Sequence, residues 1–261
     1  MVYLLLCRVW NALFAAGVCA YSFFIIKNNH EINYYEVLFL SLGIFFLVCF
    51  ANAHNDIIDF EIDKINRPKR PLPSGKISIK AAYRTLVILV FFTMFFSILA
   101  GLKFALLFLF ASLLSTAYNR FLKGLPLVGN FTVALLTTTP VIIPIINFGF
   151  PQPELSVLAF LAFMLTFARE ITKDIEDMEG DKSKNLKTLP LITNTNISVA
   201  LVFLINFQCF LQIALLRPFL LVGAAPFMVI SVIFAFLKKW HLSQNMLKLA
   251  MLGGLAAFLR P

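Results

Sequence analysis

The sequence predicts an all-α polytopic membrane protein, a single domain over 1–261 with about nine transmembrane helices. Three observations predict it. Hydrophobic residues make up 60% of the chain and charged residues 13%, with a mean hydropathy of +0.88; a soluble domain is about 25% charged. The apolar residues fall in successive segments of about 17–22 residues, the length that crosses a bilayer as a helix. The intervening loops alternate between basic and nearly uncharged, as loops on opposite sides of a membrane do.

Taken in order, the spans fall at 8–26, 34–54, 82–100, 102–119, 127–148, 154–172, 196–214, 218–237 and 244–259. The first is followed by Lys27-Asn28-Asn29-His30 rather than a small-residue cleavage site, so it reads as a span and not a signal peptide. The ninth is short and interrupted by Gly253-Gly254. Lys64, Arg67, Lys69, Arg70, Lys76 and Lys80 lie between spans two and three, and Arg120 and Lys123 between four and five. Lys173, Lys182, Lys184 and Lys187 follow span six, and Lys238 and Lys239 follow span eight. The opposite loops hold Lys27, Lys103 and Arg217. This bias predicts an integral protein of the cell membrane with its N-terminus and the loops after spans two and six in the cytoplasm. The net charge of +9 is accounted for by topology and an anionic substrate, not nucleic acid. Trp10 and Trp240 fit interface anchors, and His30 and His241 loop or interface positions. Cys7, Cys19, Cys49 and Cys209 lie in apolar segments without CxxC spacing and read as small buried residues.

Nine of the thirteen acidic residues sit in two stretches, Asn55–Asp63 and Lys173–Asp181. In each, three aspartates are spaced by three and then four: Asp56, Asp59 and Asp63, and Asp174, Asp177 and Asp181. On a helix that spacing places all three carboxylates on one face. Such faces at the ends of apolar helices are costly unless a cation binds them. Carboxylate and amide oxygens suit Mg²⁺, which shares its shell with phosphate. Asn55, Asp56, Asp59, Asp63, Asp174, Asp177 and Asp181 are therefore the candidate ligands, for two Mg²⁺ ions that together bridge one diphosphate. The matching positions at the ends of spans two and six suggest an internal repeat, with spans 2–4 resembling 6–8.

Cations adjoin both motifs. Arg67 and Arg70, in the proline-stiffened run Arg67-Pro68-Lys69-Arg70-Pro71, are placed to hold diphosphate oxygens. A helix end running into a solvated positive-inside loop explains the basic residues alone equally well; the acidic-then-basic pattern, repeated twice, favours a site. Tyr118 and Lys123, at the end of span four, have donors for a leaving diphosphate, or are an interfacial tyrosine and a topological charge. His54 reads as a structural neighbour of the first motif.

At these residues the chain resembles the UbiA superfamily of intramembrane prenyltransferases. NDxxDxxxD is complete at Asn55, Asp56, Asp59 and Asp63, DxxDxxxD at Asp174, Asp177 and Asp181, and the Tyr–Lys element at Tyr118 and Lys123. The resemblance implies nine helices around a central cavity open to lipid, with ionisation of a prenyl diphosphate and capture of the allylic cation by an acceptor. It implies that Asn55, Asp59 and Asp63 hold one ion and Asp177 and Asp181 the other. Arg67, Tyr118, Lys123 and Lys173 would contact diphosphate, with Asp174 near the acceptor. Asp59–Pro68 and Arg169–Asp177, with Lys184, Lys187 and Thr188-Leu189-Pro190, resemble the subgroup that adds a geranylgeranyl group to geranylgeranylglyceryl phosphate in ether-lipid synthesis. Asn185 departs from the glycine expected near that position. An aromatic acceptor of quinone synthesis remains the second reading. A cation or phosphate transporter is the third; its acidic residues would line the midplane of broken helices, not one face beside basic loops.

Overall fold

The computed structural model describes residues 2–27, 30–149, 151–183, 185–216, 218 and 220–257; Lys184, Arg217 and the end of the ninth predicted span lie outside them. The described residues form helices and no strand: α1 (Val2–Leu6), α2 (Val9–Ile25), α3 (Tyr34–Ile58), α4 (Phe60–Asn66), α5 (Ile79–Ala100), α6 (Leu102–Ala117), a π-turn (Tyr118–Leu122), α7 (Val128–Phe148), α8 (Pro153–Glu176), α9 (Met178–Ser183), α10 (Leu189–Ile192), α11 (Thr195–Leu216), α12 (Leu220–Phe236) and α13 (Trp240–Ala257). Six of them, α3, α5, α6 with its π-turn, α7, α8 and α11, are long and apolar enough to cross a membrane. Val9–Ile25 and Val222–Phe236 are shorter apolar helices. Helix α13, where the ninth span is predicted, is not in either group; its first third carries the polar His241, Ser243, Gln244 and Asn245. Large apolar side chains point outward along the helices, among them Val87, Leu102 and Leu215, as lipid-facing surfaces require.

The chain forms two compact units, with α7 divided between them at Pro140. The first holds α1 to α6 and residues 140–152. Asn33 caps α3, its side chain accepting from the Tyr35 and Glu36 amides, and Ser78 caps α5 by accepting from Ala81. Rings knit α3 to α5: Phe46 stacks on Phe92 and Phe96, with centroids 5.0 and 5.6 Å apart. Gly43 of α3 admits the fully buried Phe108 of α6, since a Cβ there would fall 2.7 Å from that ring. Away from the acidic motif, Asn147 donates to Glu36 and accepts from Lys103 at 2.7 Å. His30 stacks on Phe148 and bonds Gln152.

The second unit holds residues 122–139 and everything from Pro153. Its core joins Leu165, Ala168 and Ile171 of α8 to Cys209 and Ile213 of α11 and Leu247 and Ala250 of α13. Helices α12 and α13 meet where Gly223 lies against the Gly253 backbone; a Cβ on either glycine would run into the other's carbonyl. All four cysteines are buried free thiols, as their apolar settings predict.

Predicted spans two to four fall in the first unit as α3, α5 and α6, and spans six to eight in the second as α8, α11 and α12.

Candidate active site

The two acidic motifs fold alike. Helix α3 ends at Ile58 and α4 starts at Phe60, with Asp59 between them. The backbone ladder nonetheless runs through: Asp59 N–H donates to the Asn55 carbonyl (2.9 Å), Asp63 N–H to Asp59 (2.8 Å) and Arg67 N–H to Asp63 (2.9 Å). In the other unit α8 ends at Glu176 and α9 starts at Met178, with Asp177 between them. Asp177 N–H donates to Lys173 (2.9 Å) and Asp181 N–H to Asp177 (3.0 Å). In both motifs the central aspartate marks the break and the i→i+4 bonding carries the spacing across it, so Asn55, Asp59 and Asp63 share a line, as do Asp177 and Asp181.

Asp56, Asp59 and Asp63 are buried, at 2%, 8% and 4% exposure. Buried carboxylates need cations. Arg70 supplies one, donating from Nη1 to Asp56 Oδ1 (3.1 Å) and Asp63 Oδ2 (2.5 Å). Arg8 supplies the other, from Nη1 to Asn52 Oδ1 (2.9 Å) and from Nη2 to Asp56 Oδ1 (2.5 Å). Leu5, Arg8, Arg67, Lys69 and Arg70 line a cavity of about 520 Å³ with Asp56 in its wall. Four cations thus face one opening, within the size range of small-molecule sites. Asn55 donates to Asn119 Oδ1 (3.1 Å), and the buried Asn119 amide reaches the His54 ring (3.0 Å). Tyr118 opens the π-turn that carries Asn119; such turns recur at functional sites. His54 is thus the structural neighbour its position predicts.

In the second unit Asp174 and Asp177 are half-buried. Asn130 of α7 donates to Asp174 Oδ2 at 2.8 Å. Burial, and then the neighbouring Asp177, push the Asp181 carboxyl above its ordinary range, while Lys123 pulls it down. Lys123 therefore acts on the second motif. Lys173 pairs with Glu170 at 3.6 Å, and Arg169 with Glu170 at 2.8 Å. The loop after α9 closes on the turn after Lys123, with Lys187 N–H donating to the Gly124 carbonyl (3.0 Å). Asn185 has φ +57°, a left-handed conformation. A glycine suits that position for this reason, and asparagine is among the few other residues that adopt it readily.

Sequence reasoning missed Arg8, Asn119, Asn130 and Glu170. The available signal was a polar or charged residue within an apolar segment. Among the described residues no three acidic, histidine or cysteine side chains converge into a closed cage. The donor set still fits Mg²⁺, which binds through one or two carboxylates, waters and substrate phosphate, not an all-protein shell.

A lipid-facing helical chain with two carboxylate-bearing helix breaks and cations beside each has the makings of an intramembrane transferase for phosphorylated substrates. The profile of the UbiA prenyltransferase family matches residues 12–254, and the chain belongs to that family. It is a prenyltransferase. It is 34% identical to digeranylgeranylglyceryl phosphate synthase of Methanosarcina mazei over 98% of this chain and 96% of that one. It is 37% identical to the synthase of the same name from Methanosphaera stadtmanae, over 68% of this chain and 65% of that protein. Among solved structures it resembles a digeranylgeranylglyceryl phosphate synthase in membranes, at 25% identity and a TM-score of 0.71 over 100% of this chain and 98% of the other. It shares its fold with a UbiA homologue from Archaeoglobus fulgidus bound to DMAPP and Mg²⁺, at 20% identity and a TM-score of 0.69 over the whole of both chains.

Proposed function

We propose that this protein transfers a geranylgeranyl group from geranylgeranyl diphosphate to geranylgeranylglyceryl phosphate, with residues 1–261 acting as one catalytic domain of nine membrane-crossing helices whose site faces the cytoplasm. The observation that carries the reading is the duplicated helix break, in which buried or half-buried carboxylates stand in line beside Arg and Lys. The identity to named digeranylgeranylglyceryl phosphate synthases supports the choice of acceptor.

Asn55, Asp59 and Asp63 would hold one Mg²⁺ and Asp177 and Asp181 another; Asp56 supports the first set through its pairs with Arg8 and Arg70. Bound metal offsets the charge that gathers on the diphosphate. Arg67, Arg70, Tyr118 and Lys123 are the donors for diphosphate oxygens. The bond between the allylic carbon and the diphosphate oxygen breaks, and its electron pair leaves with the diphosphate. A lone pair of the acceptor hydroxyl forms the new carbon–oxygen bond. The hydroxyl proton passes to Asp174, whose Oδ2 is held by Asn130 so that Oδ1 is left to receive it. The sum is prenyl diphosphate plus alcohol giving ether, diphosphate and a proton.

The test is a competition assay on the purified protein in nanodiscs with Mg²⁺, read by mass spectrometry. Geranylgeranyl diphosphate is offered together with geranylgeranylglyceryl phosphate, 4-hydroxybenzoate and dihydroxynaphthoate. Digeranylgeranylglyceryl phosphate is the expected product, lost with EDTA and in Asp59→Ala and Asp177→Ala. A prenylated aromatic alone would move the protein to quinone synthesis, and near-normal turnover in either variant would defeat the two-motif assignment.

A further inference from the structure

The second unit carries a group of cations beyond those that line its acidic motif. At a hundred degrees per residue, Glu170 and Asp174 share one stripe of α8, and Arg169, Lys173 and Glu176 share the next. Helix α13 runs antiparallel beside the second stripe. Gln244 donates to Glu176 Oε2 (2.5 Å), and two turns on, Met251 meets Thr166. Lys248, an exposed residue midway between Gln244 and Met251, therefore stands level with the Arg169–Lys173 turn, in the field of Arg169, Glu170, Lys173 and Glu176.

Glu176 is taken by Gln244 and approached by His241. Glu170, buried at 5% exposure, is set against all three of Arg169, Lys173 and Lys248, while Glu176 also faces Lys248 and Asp174 faces Lys173. Lys173 stands 3.6 Å from it, long for a hydrogen bond. The buried Arg169 Nε has no hydrogen-bond partner, and orphaned buried donors are rare where no acceptor arrives. Three cations that share one buried carboxylate, with an unused donor beside them, are what a dianionic phosphate monoester completes.

We propose that Arg169, Lys173 and Lys248 cradle the phosphate monoester of the acceptor lipid, a site separate from the diphosphate site and resting on the acceptor assigned above. This moves Lys173 from the donor side to the acceptor side. The geometry suits a glycerol phosphate. With an ether at one end carbon and phosphate at the other, the free hydroxyl lies on the middle carbon. A phosphate on the Arg169–Lys173 stripe thus leaves the hydroxyl one stripe away, beside Asp174.

The experiment measures binding without chemistry. Geranylgeranylglyceryl phosphate and phosphate-free geranylgeranylglycerol are titrated onto the wild-type protein and Lys248→Gln in nanodiscs, with EDTA and no prenyl diphosphate. Losing one charged hydrogen bond predicts about a tenfold or greater loss of affinity for the phosphate lipid. Affinity for the alcohol should stay unchanged, and Lys248→Arg should restore the phosphate lipid. In turnover, Lys248→Gln should raise the KM for the acceptor and leave that for geranylgeranyl diphosphate unmoved. Equal binding of the phosphate lipid by wild type and Lys248→Gln overturns the cradle while leaving the proposed reaction intact. A raised KM for the donor also overturns it and returns the cluster to the diphosphate. A wild-type protein that makes no digeranylgeranylglyceryl phosphate overturns the acceptor itself, and the cradle with it.

Discussion

Replacing Arg8 by methionine removes a side chain of similar length that ties the start of α2 to the end of α3. The guanidinium makes two hydrogen bonds, one to the neutral Asn52 and one to the buried Asp56. Removing one partner of a fully buried ion pair costs about 3–5 kcal/mol. Two features reduce that here. The Arg8 side chain is 31% exposed, and Arg70 still donates to the same Asp56 oxygen. A loss of about 2 kcal/mol is the resulting expectation. At about 2–4 °C per kcal/mol for a chain of this size, the melting temperature should fall by about 4–8 °C. The assay is thermal unfolding of the detergent-solubilised protein, with Arg8→Met, Asp56→Asn and the double variant measured together. Coupling of about 1 kcal/mol or more between the two sites is expected. A melting temperature within about 1 °C of wild type, or strictly additive losses, would show that Arg8 does not hold Asp56 and would refute the reasoning.

Two further outcomes follow from contacts elsewhere. Asn130→Ala should lower kcat by about tenfold, the scale of a lost positioning contact, with the KM for prenyl diphosphate unchanged in steady-state assays. Gly223→Val should destabilise by about 3 kcal/mol or more, because the Gly253 backbone cannot yield as a side chain would; thermal unfolding reads this, with Gly17→Ala, which meets nothing within 4 Å, as the unaffected control.

The helices were legible because apolar length alone marks them, and the ligand stripes because the 3–4 spacing survives the breaks at Asp59 and Asp177. Helix ends were less so. The second span reads as ending at 54, yet α3 runs to Ile58, since buried polar residues keep bonding down the helix where solvated ones would fray. The third reads as starting at 82, yet Ser78 caps a helix that begins at Ile79; the serine was visible, but the polar first turn hid the start. Arg8 reads as the first residue of a span. Its φ of +47° instead separates α1 from α2 and turns the guanidinium toward Asn52 and Asp56. Partners 44 and 48 residues apart leave no local trace. Asn130 and Asp174, also 44 apart, are hidden for the same reason.

The unbroken ladder through Asn55, Asp59, Asp63 and Arg67 bears on how the gene can vary. Along that ladder a substitution alters one side chain, whereas one inserted or deleted codon turns every later residue by about a hundred degrees. A single-residue insertion between Asp56 and Asp63 would swing Asp63 off the line of Asn55 and carry Arg70 away from Asp56. The helix ends at Asn66, and past Arg70 the chain runs on through the turns of Pro71–Ile77, where added length no longer rotates a ligand. Length changes in this part of the chain should therefore collect in the stretch from Pro71 to Ser78 and stop short of the acidic motif.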